Sequence, residues 1–246
     1  MSRTPDQHNE PDTRSVILAI ELSNPTASPD AHCVALFKEA SSKETSPTDE
    51  LIGSVPIPEG LRSADALMVM IDTLCTKHQI TPSMIGRLMV SIGPGGYTAL
   101  RISSTTAKVL AQTLGCELVA VPSARVAAAA IEPKHRPALI ALASKNEHAH
   151  CSIVHADGSV ESVGVIDAQA LDTFEARSIV GDAHLPRSFI DAAKRLGWSA
   201  VPIVLDARHM LEAGASIEPI EPIGLSPIYA REPDAITQWR ARHGSK

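Results

Sequence analysis

The chain has 246 residues, a formal net charge of −6, 44% hydrophobic residues and only 3% aromatic ones. This length suits one or two packed lobes with cores of Ala, Val, Leu and Ile, and the composition excludes a chain disordered throughout. The acidic balance, with no cluster of Lys or Arg among aromatics, argues against a protein that grips nucleic acid by a basic face.

Residues 1–14 are polar, hold two prolines and lack the apolar core of a secretory signal, so a disordered tail is expected. Ser15–Leu22 reads as an apolar strand, followed by the insertion Ser23–Ala31. His32–Phe37 and Leu51–Ile57 read as two more strands, with residues 38–50 a loop by composition. Leu61–His78 has helical periodicity, with Leu61, Ala64, Leu67, Met68, Ile71, Leu74 and Cys75 recurring at three and four.

A strand at Leu88–Ile92 then ends in Gly93-Pro94-Gly95-Gly96, and a helix runs to Leu114 with Thr98 as the expected N-cap and Gly115 as its stop. Leu118–Val121 is a further strand. Strand, glycine turn and helix N-terminus form the generic arrangement of an anion site, although this turn matches neither G-x-x-x-x-G-K-[ST] nor G-x-G-x-x-G.

The second half repeats the order. Strands are expected at Pro137–Ala143, His148–His155 and Val160–Ile166, with Asp157-Gly158 as a hairpin turn. A short helix at Asp167–Phe174, a strand at Ser178–Val180, a helix at Pro186–Leu196 stopped by Gly197, a strand at Val201–Leu205 and a helix at Ala207–Ala213 complete it. Two βββαβα halves predict an α/β fold of the duplicated ribonuclease-H-like type found in actin, sugar kinases and Hsp70 chaperones (the ASKHA class). The expected lobes are 15–122 and 123–235, with a flexible tail at 236–246.

Cys33, Cys75, Cys116 and Cys151 form no C-x-x-C pair, so they read as small buried residues in a reducing compartment. No run of about 18 apolar residues occurs, and a cytoplasmic protein without a membrane span is expected.

The stretch GPGGYTALRISSTTAKVLA, Gly93–Ala111, resembles the TsaB (YeaZ) family pattern GPGSFTGLRIGxATAKGLA. Gly93, Pro94, Gly95, Thr98, Leu100, Arg101, Ile102, Thr106, Ala107, Lys108, Leu110 and Ala111 match it. Gly96 and Tyr97 replace Ser-Phe, and Ala99, Ser103 and Val109 replace glycines. VILAIELS (Val16–Ser23) is similar to the family's opening strand, LRSADALMVMIDTLC to its first helix, and LSPIYAREPDA (Leu225–Ala235) to its Pro-x-Tyr-x-Arg-x-x-x-Ala ending.

The resemblance independently implies the actin-like fold. It also implies a role in making N6-threonylcarbamoyladenosine at position 37 of tRNA, as a noncatalytic scaffold for the TsaD catalytic subunit. A TsaE-like ATPase is then the third member, TsaC-like enzymes make the adenylate, and tRNA is met only through the complex.

Residue chemistry points the same way. Active actin-like proteins place a carboxylate and small residues at the turn after the first strand of each lobe, to hold magnesium and phosphate. Here those turns are Glu21-Leu22-Ser23-Asn24-Pro25, where the family has Asp-Thr, and Ala143-Ser144-Lys145-Asn146, where Ala143 replaces an aspartate. TsaD-class enzymes carry a metal-binding histidine pair on a helix, whereas this chain offers only His148 and His150 on a strand. No Gly-x-Ser-x-Gly elbow occurs. No catalytic residue, metal or cofactor is therefore expected.

A surface function remains, and the expected partner interface is Leu67, Met68 and Ile71 on the first helix with Leu100, Ser104, Ala107 and Ala111 on the second. In TsaB-like proteins these two helices pack on TsaD, or on a second copy, as a four-helix bundle. The rival readings are a degenerate actin-like ATPase or metallopeptidase-like hydrolase, and a homodimeric structural protein.

Overall fold

The computed structural model describes residues 14–24, 31–39, 49–57, 63–144 and 147–230, together with 239, 242 and 244. Residues 1–13, most of the insertions at 23–31 and 38–50, Lys145 and the 231–235 end of the C-terminal motif lie outside the described residues, as does most of the tail at 236–246.

The first sheet comprises β1 (Val16–Ile20), β2 (His32–Lys38), β3 (Glu50–Pro56), β4 (Ile85–Ser91) and β5 (Glu117–Val121), in the order β3-β2-β1-β4-β5. The second comprises β6 (Ala138–Ala143), β7 (His148–Val154), β8 (Val160–Asp167), β9 (Ser178–Gly181) and β10 (Ser199–Pro202), in the order β10-β9-β6-β7-β8. Read from the other edge, the second order is the first one again. The directions agree too. β1 is antiparallel to β2 and parallel to β4, as β6 is to β7 and β9. This is the duplicated ribonuclease-H-like arrangement expected from the order of elements.

β1 is buried at all five residues, and β6 at five of six, because each is central and covered on both faces. Against the outer face of the first sheet lie α1 (Ser63–Lys77) and α2 (Tyr97–Leu114). Their Leu67, Met70, Ile71, Leu74, Ala107 and Ala111 pack with Leu18, Ile20, Leu36 and Leu88. Between the sheets sit α3 (Ser123–Ala129) and α5 (Met210–Gly214), whose Val126, Ala127, Met210 and Ala213 join Ile17 and Val121 of one sheet to Ile140 and Val180 of the other. Outside the second sheet, α4 (Arg187–Arg195) buries Phe189, Ala192 and Ala193 on Leu139, Ala141 and Ile179.

Several expectations are corrected. The helix at Ser123–Ala129 was not expected, although Pro122 before an alanine-rich run is a helix signal. The helix expected at Asp167–Phe174 is a 3₁₀ segment, Ala168–Thr173, begun by the Asp167 carboxylate accepting the Gln169 and Ala170 N–H groups. The strand expected at Val201–Leu205 is β10, two residues earlier, where Ser199 pairs with Ser178 of β9. The helix expected from Ala207 opens with a 3₁₀ turn, Ala207–His209, before α5. Past α5 the chain leaves the second lobe: the Ile220 N–H donates to the Leu118 carbonyl, and Leu225 is buried in the outer core of the first lobe.

Candidate functional site

The glycine turn between β4 and α2 is occupied by the chain itself. The Gly96 N–H donates to the Ser23 carbonyl at 2.7 Å, the Ser123 N–H to the Gly93 carbonyl at 2.8 Å and the Ile228 N–H to the Ile92 carbonyl at 2.7 Å. A Cβ on Gly95 would stand 2.0 Å from the Ser23 carbonyl oxygen, so only glycine allows this approach. The close contact that suggested an anion cradle thus joins the loop after β1 to the start of α2. Pro94 is buried and Gly93 has φ +96°.

Gly96, not Thr98, is the N-cap, and its carbonyl accepts the Leu100 N–H. The helix starts one residue before Thr98 because Tyr97 already has helical geometry, and Thr98 is an exposed first-turn residue. Arg101 lies 5.4 Å from the Tyr97 ring centroid, and that ring stands 5.0 Å from the ring of Tyr229. The Pro-x-Tyr portion of the C-terminal motif therefore meets the glycine motif in space. At the far end Gly115, with φ +62°, caps α2 as expected.

The turn after β1 is closed around Glu21. Its Oε1 accepts the Ser23 N–H at 2.7 Å and the Ser23 Oγ–H at 2.6 Å, while Oε2 is buried without a partner. Burial pushes this carboxyl above its usual range, against the lowering effects of Ser23 and the Ser91 hydroxyl. Across the lobes, Asp206 accepts the His32 N–H at 3.1 Å and a two-pronged contact from Arg208 Nε and Nη2 at 2.9 and 2.6 Å. Burial alone would raise the Asp206 carboxyl, but these bonds outweigh it and hold it below the usual range. Asn24 Nδ2 donates to Asp182 at 2.9 Å, a second tie between lobes. In the second lobe the Ser144 N–H is bonded to the His148 carbonyl.

Among the described residues no group of three or more His, Cys, Asp or Glu side chains is placed to hold a metal ion. His148 and His150 are both partly buried on β7, where burial moves the His150 pKa down. The four cysteines are free, and burial pushes the Cys33 and Cys151 thiols up to about 12, which suits packing residues rather than nucleophiles. Among the described residues no helix is long and apolar enough to cross a membrane.

Of the seven residues expected at a partner surface, the structure covers six with this chain. Leu67, Ile71, Leu100, Ser104, Ala107 and Ala111 are buried, and only Met68 faces out. The physical reason is that a helix on a sheet turns its i, i+3, i+4, i+7 stripe inward, and the stripe read as an interface is that stripe. The outward apolar side chains are Met68 and Val69 of α1, each 52% exposed, and Tyr97 and Val109 of α2, 50% and 57% exposed. Val69 and Val109 were missed. Val109 carried a signal, since it stands where the family pattern has glycine.

The family model for TsaD, the tRNA N6-adenosine threonylcarbamoyltransferase, matches residues 37–188. The chain belongs to that family. Among solved structures it is similar to YeaZ from Pseudomonas aeruginosa, at 16% identity and a TM-score of 0.60, over 87% of this chain and 99% of that one. It is also similar to a P. aeruginosa protein described as uncharacterized with similarity to peptidase YeaZ, at 18% identity and a TM-score of 0.59, over 88% and 100% of the two chains. No curated protein matches. Family model and fold together bear out the TsaB (YeaZ) assignment made from Gly93–Ala111, and tie the chain to tRNA threonylcarbamoyladenosine modification.

Proposed function

We propose that the chain is a noncatalytic scaffold subunit of the tRNA threonylcarbamoyladenosine machinery, docking a TsaD-like catalytic subunit through the outer faces of α1 and α2. A TsaE-like ATPase joins the assembled complex, and a second copy of this chain competes for the same face. The observation that carries the reading is the outward placement of Met68, Val69 and Val109 on the two longest helices, where a monomer gains nothing from exposing them. The closed turn at Glu21–Ser23 and the Gly96 N–H committed to Ser23 support the noncatalytic part, because one backbone donor at each turn is already bonded within the chain.

The test is association of the tagged full chain with a TsaD-like partner. Met68→Asp and Val109→Asp together leave the fold intact and abolish association. A folded double variant that still associates would place the interface elsewhere.

The family model's own description as a transferase favours a second reading, in which the chain is itself catalytic and Glu21, with one unpaired carboxylate oxygen, supplies the acid. Threonylcarbamoyl transfer to tRNA by the isolated chain, lost in Glu21→Gln, would establish that alternative. Calorimetric titration with ATP and magnesium addresses the ATPase rival, and no micromolar binding is expected.

A further inference from the structure

A cleft of about 330 Å³ opens between α3, α5 and the turn joining β7 to β8, and its lining includes Arg125, Arg136, Asp157, Ser159 and Glu212. It shares no residue with the glycine turn or with the outward apolar residues of α1 and α2. Two guanidinium groups line it, and among the described residues neither pairs with a carboxylate. Arg136 Nη2 donates to the Ala128 carbonyl at 3.1 Å, while its Nε is buried with no acceptor. Arg125 Nη2 donates to the Ser216 hydroxyl at 2.7 Å. A buried N–H without a partner is rare in folded proteins, and here it leaves the Arg136 charge without compensation inside the fold.

The nearby acid does not supply the missing acceptor. Asp157 Oδ1 is turned into its own hairpin, where it accepts the Ser159 N–H at 2.9 Å and Oγ–H at 2.6 Å. The same hairpin approaches the guanidinium: Gly158 has φ +88°, and a Cβ there would stand 2.8 Å from Arg136 Nη1. The nearness of Gly158 to Nη1 and the bond from Nη2 to the Ala128 carbonyl restrict the Arg136 side chain, which lowers the entropy cost of binding. Glu212 adds a second negative charge to the lining, so the two cations face two anions and a dianion is disfavoured. A planar monoanion suits the flat edge of a guanidinium.

We propose that this cleft binds the carboxylate of a small molecule, held between Arg136 and Arg125. The volume is at the lower end of small-ligand pockets, which limits the ligand to metabolite size. The inference does not depend on the scaffold reading.

The experiment titrates the full chain, ¹⁵N-labelled at arginine, with acetate and separately with inorganic phosphate at constant ionic strength, following the arginine Nε–H signals by NMR. The Arg136 Nε–H signal shifts saturably with acetate, and half-saturation moves at least tenfold higher in Arg125→Gln. That variant keeps its melting temperature, because Arg125 bonds only an exposed hydroxyl. Arg136→Lys abolishes the response, and if that variant does not fold, Arg125→Gln decides alone. A shift linear in acetate, a response unchanged in Arg125→Gln, or tighter binding of phosphate than of acetate overturns the proposal.

Discussion

The two lobes share one strand diagram and differ in what covers it. The first sheet carries helices of 15 and 18 residues on its outer face, whereas the second carries one of nine residues and a 3₁₀ segment. The outward sides differ in kind as well. α4 presents Arg187, Asp191, Lys194 and Arg195 to solvent, with Ile190 its one exposed large apolar residue, while α1 and α2 present Met68, Val69, Tyr97 and Val109 among their polar residues. Strand pairing sets the architecture, since backbone hydrogen bonds must be met in the same way in both lobes. The helices need only bury one stripe, so their other side is free to be charged in one lobe and mixed apolar and charged in the other, where Asp65, Asp72, Lys77 and Arg101 are also exposed. On the proposed reading, the first lobe is the one that meets a partner.

The sharpest way to break this comparison is to charge the inner stripe. Ala107 is fully buried on its own sheet, so Ala107→Asp is expected to destabilise the chain by about 3–5 kcal/mol, as an unpaired buried ion does. Lys194→Ala on the solvated face of α4 is expected to change stability by less than about 0.5 kcal/mol. Thermal melts of the two variants check both, and an unaffected Ala107→Asp would mean that α2 does not lie on the sheet as described.

A smaller effect is expected at the glycine turn of the first lobe. Gly95→Ala forces a Cβ against the Ser23 carbonyl and is expected to cost about 1–3 kcal/mol, as overpacking does. Gly96→Ala, with 3.7 Å to the same oxygen, is expected to cost under about 1 kcal/mol, from the weaker N-cap. Denaturant titration distinguishes them, and equal losses would remove the argument for close approach.

The carboxylates at the junction of the lobes predict opposite pH dependences. Glu21 has a raised folded pKa, so its contribution to stability is complete below the ordinary value of 4.5 and is lost as pH rises through the folded value. Glu21→Gln is therefore expected to melt higher than the parent at neutral pH, with the difference shrinking toward pH 4.5. Asp206 has a lowered folded pKa, so its contribution is present above the ordinary value of 3.8 and is lost as pH falls through the folded value. Asp206→Asn is accordingly expected to lose stability at neutral pH and to approach the parent in acid. Melting temperatures between pH 3 and pH 8 test both signs.

The smallest expected effect on stability is the most informative about function. Met68→Asp should change stability by less than about 0.5 kcal/mol because the residue is half exposed, while weakening association with a TsaD-like partner. Size-exclusion chromatography beside a thermal melt separates the two. The chain alone, at a net charge of −6, is also expected not to retain tRNA at about 0.15 M salt, which a gel shift checks.

What the residues declared on their own was local and periodic. The apolar runs of β1 and β6, the 3.6-residue period of α1 and α2, the αL stop at Gly115 and the glycine motif at 93–96 were all legible, because each depends on neighbours close in sequence. The order of elements carried the duplicated topology for the same reason. What touches what across the chain was not legible. Periodicity marks an apolar stripe but not the surface it meets, so Leu67, Ile71 and Ala107 read as an interface, whereas the fold turns them onto their own sheet. That Gly95 receives the Ser23 carbonyl, that Asp206 answers His32, and that Arg136 keeps a buried N–H free are contacts between residues far apart in the chain. Tertiary packing alone decides them, because burial and hydrogen-bond satisfaction are properties of the assembled fold and not of any segment.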